Sequence, residues 1–395
     1  MGILKVKPFE TFASEIVEHV DRETGVKIRR LTGWKGHSHH PYFTENGWYD
    51  NDTKMLFMSD RHNARNIFSI DITSGEISRL TDMPAGGAEI ASSLGINKHR
   101  NEIYYMQSGQ LFSLSLETLE TRLIYAAPEG FKLGGTKPLA CGKYLVGSLG
   151  EDLSKKIYVN TSASYVGMRE TFEAKPDGRI IRINLETGEV DEVWQEYCWV
   201  GHVNPSPTQP HLLTFCHEGP WHLVDHRIWL LNLNTGKATK LRERKVEGEL
   251  IGHEYWFEDG LHVGYQCHSP QSQATDNERG MTWFGYVKHD GTGEVESNCK
   301  HPRNTPDHIH SLDEKIFCSD TGKSINIFKN NGDGTFDGPR KLCMHDGSFF
   351  WGGHHPHPRL TPDGKHVVYN SNNLGYCNIF MAEIPDDIAA LPKWK

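Results

Sequence analysis

The chain has 395 residues, with 42 Lys and Arg against 51 Asp and Glu, a formal charge of −9. That balance argues against a nucleic-acid binder, which carries a basic face, and gives no reason to expect an anionic membrane as partner. Hydrophobic residues at 37% and charged residues at 24% exclude a disordered chain, and the unusual count is 23 histidines, none between His99 and His202.

In chain order, residues 1–8 hold neither an apolar core nor a small-residue cleavage site, so no secretory signal is expected. Gly2 lacks the Ser or Thr of a myristoylation motif. No apolar run is long enough to span a bilayer. The eight cysteines are scattered, without a C-x-x-C, which predicts free thiols in a reducing cytoplasm.

One pattern then recurs: an alternating strand followed by a Thr-Gly-type turn. It is clear at residues 67–76, 111–118, 181–189 and 228–237, and weaker at 283–287, 325–329 and 379–384. An earlier hairpin turn precedes each copy; Asn46-Gly47, Asp259-Gly260 and Pro362-Asp363-Gly364 are the clearest. Each unit therefore holds four short strands. Seven such units in one uninterrupted array predict an all-β fold, a seven-bladed β-propeller, as a single domain over 1–395. A pair of β-sandwiches is the rival. The final copy ends near Ile384 without an outer strand, so a strand within 25–31 is expected to complete the last blade. One unit carries a longer segment, 147–178, with Lys155, Lys156, Tyr165 and Arg169. It is expected to overhang one face of the ring.

The histidines fall at one place in this repeat. His40, His202, His253, His308 and His355 each precede a hairpin turn by five to eight residues, in different units. That places them at the starts of inner strands, around the mouth of the channel. His39, His310 and His357 are near neighbours. A fold has no physical need for imidazole at those places, so the register points to a shared site.

His355-Pro356-His357 is extended, because a residue before proline is pushed toward β. Alternate residues of an extended segment share a face, so both rings can reach one ion. A third imidazole from His308 would leave open positions, as catalytic metal sites do. A hydrogen-bonded cluster without metal is the alternative. The second-to-third-strand loops add His217-Glu218, Asp225-His226-Arg227 and Asp60-Arg61-His62 to the same face. The region 321–324 has the tail of a P-loop without its first Gly, and no G-x-S-x-G is present.

A metal with open positions, a free His and an Arg fit an anionic substrate. Metal and Arg would draw charge from its carboxylate. A neutral His could then take the proton on the adjacent carbon. In a uronic acid that carbon is C5, and loss of the C4 oxygen cleaves the chain by β-elimination.

At these residues the sequence resembles the oligogalacturonate lyase family. The match is carried by Phe215-Cys216-His217-Glu218-Gly219-Pro220, continuing through Leu223-Val224-Asp225 to Arg227 and Trp229. Gly201-His202, His253-Glu254 and His355-Pro356-His357-Pro358 with Thr361-Pro362-Asp363 add to it, as do Thr24-Gly25-Val26-Lys27 and Arg30-Leu31-Thr32. The resemblance covers nearly the whole chain. It implies a cytoplasmic seven-bladed propeller that degrades short pectin oligomers to unsaturated uronates. It also implies a divalent metal, usually manganese, held by histidines and a Gln. The ligands then fall on His308, His355 and His357, the proton-abstracting base on His253 and the assisting Arg on Arg227. The family's Gln falls on Gly352, so His354 or water takes that place, or the site is altered. His40, Arg61, His202, His217 and Glu218 are expected to contact substrate. The expected partner is an oligouronide, with no nucleic acid and no membrane, and nothing sets an oligomeric state. A lyase for a different uronide and a non-catalytic ligand-binding propeller are the alternatives.

Overall fold

The computed structural model describes residues 8–85, 90–160, 165–270, 280–302, 307–348 and 355–394. Seven antiparallel sheets form the blades of a β-propeller. Each of the seven repeat copies is the third strand of a blade: Asn66–Asp71, Gln110–Ser115, Asp177–Asn184, Ile228–Asn232, Met281–Lys288, Ser324–Asn330 and Asn378–Glu383.

The middle strands are buried on both faces, so their two residue sets feed two different cores. In the third blade, Leu145 and Ile181 pack toward Tyr104 and Leu111 of the second blade. Their neighbours Val146 and Ile180 pack toward Leu213 and Phe215 of the fourth. Such a side chain contributes about 1.5–3 kcal/mol when fully buried. The ring is thus held by apolar layers between consecutive blades.

The N-terminal segment closes the ring. Lys27–Arg30 pairs with the last blade, Ile28 opposite Ala382, as the sequence predicts. Val17–Val20 then adds a fifth strand outside it. Glu10–Phe12 pairs instead with Ile77–Arg79 of the first blade. One segment therefore grips both sides of the seam.

Three inner strands carry a bulge at the same level. Two residues oppose one at Gly134-Gly135, at His202-Val203 and at His253-Glu254. His202 and His253 sit there with φ of 47° and 51°, in the left-handed region that non-glycine residues seldom occupy. A bulge bends its strand and re-aims a side chain. Here it turns two imidazoles toward the mouth.

The long segment is shorter than predicted. Tyr144–Glu151 and Asp177–Asn184 are strands, and a helix, Met168–Ala174, lies between them. Its Tyr165 and Met168 reach the cavity at the mouth. Among the described residues no helix is long and apolar enough to cross a membrane.

Candidate active site

The mouth holds a cavity of about 1300 Å³. His40, His202, His253, His308, His355 and His357 all line it, with Arg227 and Glu218. The register of histidines thus becomes one site. His310 does not join it; it is buried, stacked on Tyr255 at 5.3 Å.

His308 is at the centre. Its ring centroid lies 4.4 Å from that of His357, 4.7 Å from His253 and 5.5 Å from His355. One nitrogen each of His308, His355 and His357 lies within 4.8 Å of the others. His308 Nδ1 donates to Asp320 Oδ2 at 3.0 Å, and its backbone N donates to Asp320 Oδ1 at 2.7 Å. On the neutral ring this leaves the other nitrogen, Nε2, with its lone pair. Burial opposes a charge on His308, but Asp320 and Asp307 outweigh it and raise its pKa. His357 is driven well below the usual imidazole range by burial and then by His308 and His355. Three converging nitrogens, one already backed by a carboxylate, fit a divalent transition metal.

His253 differs. Its Nδ1 lies 2.5 Å from Gln266 Oε1 and 3.2 Å from the Asp307 carbonyl. A carbonyl can only accept, so Nδ1 carries the proton and Nε2 is bare. Burial, and after it the neighbouring His308, pulls the His253 pKa down to about 3. A neutral imidazole with a bare nitrogen beside a group that could hold a cation can accept a proton.

Arg227 is buried, with Nη1 donating to Glu218 Oε1 at 2.9 Å and the guanidinium over the Trp221 ring at 4.9 Å. Gly252 makes room for this stack, since a Cβ there would lie 2.6 Å from Trp221 and 2.9 Å from Arg227 Nε. Glu218 also meets His202 Nε2 at 3.1 Å. Burial alone would raise the Glu218 pKa, but Arg227 and His202 reverse the sign and hold it well below the carboxylate range. Its oxygens are therefore committed to Arg227 and His202.

Two expected substrate contacts lie elsewhere. Arg61 is buried away from the cavity, paired with Glu15 at 2.8 and 3.0 Å and packed on Phe12 and Trp34. The cavity is reached instead by Asp60 and Arg65 on either side. His217 is clasped by Glu196 at 2.8 Å and Asp225 at 3.1 Å and stacks on Trp229. His40 lines the cavity, but its Nε2 donates to the Pro356 carbonyl at 3.3 Å. Gly352, His354 and the loop 271–279 lie outside the described residues.

Sequence reasoning passed over Gln266, Asp320 and Lys137. Lys137 is half-buried on the cavity wall, 2.6 Å from Asn204 Oδ1, and desolvation lowers its pKa despite Glu45. The one available signal was a polar residue between apolar neighbours in a second strand, as Gln266 between Tyr265 and Cys267.

The family model for oligogalacturonate lyase matches residues 11–276. The chain belongs to the oligogalacturonate lyase family. It is accordingly an oligosaccharide lyase. The oligogalacturonate lyase of Dickeya dadantii is 26% identical over 389 residues, covering 93% of this chain and 96% of that protein. The oligogalacturonide lyase of Pectobacterium atrosepticum matches at the same identity and coverage. These relatives extend past residue 276 and so span the C-terminal histidines. An oligogalacturonate lyase solved in complex with manganese superposes with a TM-score of 0.84 at 24% identity, over 97% of this chain and all of that one. One from Vibrio parahaemolyticus gives 0.83. At that identity the two structures speak to the fold, and the residue roles rest on the geometry above.

Proposed function

We propose that this lyase cleaves short oligogalacturonides by β-elimination with a divalent cation, most simply Mn²⁺, held by His308, His355 and His357. The observation that carries the reading is the bare Nε2 of His253 beside that imidazole trio and Arg227, in one cavity. A cation bound there supplies a Lewis acid for the uronate carboxylate and makes the C5 proton more acidic. Arg227, fixed by Glu218 and Trp221, orients the carboxylate and offsets its growing charge. His253 Nε2 accepts the C5 proton. The C5–H electron pair becomes the C4=C5 double bond, the C4–O bond breaks, and the departing oxygen takes a proton from water. His202, facing the cavity at its bulge, is placed to meet the sugar. Eight free cysteines agree with work in a reducing cytoplasm.

The test is digestion of a uronide panel with Mn²⁺, following ultraviolet absorbance of the conjugated product. Digalacturonate and trigalacturonate are expected to react. Product only from another uronide would move the substrate assignment. No product from any uronide, with metal shown to be bound, would overturn the lyase reading.

A further inference from the structure

Two adjacent blades support their site histidines by the same device with different chemistry. In the fifth blade, His253 on the inner strand Leu250–Trp256 is held by Gln266 on the next strand, His262–His268. In the sixth, His308 precedes the inner strand Ile309–Ser311 and is held by Asp320, at the end of the next strand, Ile316–Asp320. Both supports are fully buried. Each accepts the hydrogen bond from Nδ1–H, which leaves Nε2 bare on the neutral ring. One is a neutral amide and the other a carboxylate.

We infer that Gln266 and Asp320 are positioning residues that divide the work between two neighbouring imidazoles, Asp320 making His308 a cation ligand and Gln266 keeping His253 a proton acceptor. A carboxylate behind an imidazole strengthens the ring as a donor and adds a counter-charge for a cation. An amide orients the ring without that charge. The rings lie 4.7 Å apart, so a shared environment does not separate them. Their partners do. The Asp307 carbonyl gives His253 a second neutral acceptor at 3.2 Å, which reinforces the same tautomer. Asp320 also accepts the His308 backbone N, so ring and backbone move together.

The inference rests on the lyase reading, and its test has an arm that does not need turnover. In the full chain, Asp320→Asn is expected to weaken Mn²⁺ binding roughly 10–100-fold, read by electron paramagnetic resonance of free Mn²⁺. Its kcat should recover when Mn²⁺ is saturating. Gln266→Met, close in volume but without the amide oxygen, is expected to leave Mn²⁺ affinity unchanged. Its kcat should fall about tenfold at constant KM, with a larger isotope effect on C5-deuterated substrate because proton transfer is the slowed step. Gln266→Leu serves if the Met variant does not fold. Equal loss of affinity and turnover in both variants would reduce the pair to structural props and overturn the inference. So would no effect in either. A wild-type chain that binds Mn²⁺ but gives no product sinks the lyase reading, while the Asp320 arm still decides its own half. A wild-type chain that binds no Mn²⁺ sinks both.

Discussion

Two walls of the cavity share an interruption of strand pairing and differ in chemistry. In the third and fifth blades two residues of the inner strand oppose one of the next, although only the fifth turns its first bulge residue, His253, into the left-handed region. In the third the bulge holds Gly134-Gly135, with Tyr165 and Met168 of the insertion nearby. In the fifth it holds His253-Glu254, next to the trio of His308, His355 and His357. The backbone device therefore does not specify chemistry. It offers an aimed position, and the residue placed there decides whether the wall reacts or makes room.

Variants that break the reactive wall should cost most. His253→Ala is expected to lower kcat by roughly 10²–10⁴-fold with metal content intact, measured by product absorbance and elemental analysis. Unchanged kcat would place the base elsewhere. His357→Ala should instead lose bound metal, and turnover with it, recoverable only in part by high Mn²⁺. Glu218→Gln loosens Arg227 without touching the trio. A fall on the order of tenfold in kcat/KM is expected, and an unchanged value would mean that Trp221 alone holds the guanidinium.

The acid sensitivity of the metal-free protein should come from the same wall. Burial, with smaller charge effects, lowers the pKa of His40 to about 4, and burial with neighbouring His308 lowers that of His253 to about 3. Both are neutral when folded and take up protons near 6.5 when unfolded. The stability is therefore complete above pH 6.5 and declines as pH falls toward the folded values, by up to about 1.4 kcal/mol per pH unit for each ring. Thermal melts across this range check it, and His40→Asn should flatten the slope. The smallest effect is on the open wall. Tyr165→Ala is expected to raise KM by roughly two- to fivefold with kcat unchanged. A large loss of kcat there would erase the distinction between the walls.

The blades were legible because period-2 alternation and Thr-Gly turns are local signals. The histidine register was legible because it repeats with the blade. What escaped was relational. Val17–Val20 is exposed throughout and has no apolar face to announce it. A bulge is a property of two paired strands, so His202 and His253 gave no sign of their left-handed backbone. Gln266 and Asp320 matter through partners on another strand. Arg61 was misplaced because a loop position does not say which way a side chain turns. Its partner Glu15 is 46 residues earlier, in a segment that runs back along the first blade.

The double grip of the N-terminal segment bears on the order of assembly. Ile28 must wait for Ala382 before its sheet can close, so one side of the seam is held open until the last blade arrives. Contacts this distant in sequence form late and slowly. His355 and His357 belong to that final blade, which means that a growing chain has no complete imidazole trio. The three imidazoles come together only with the closed ring, so a cation held as proposed above would have to wait for it.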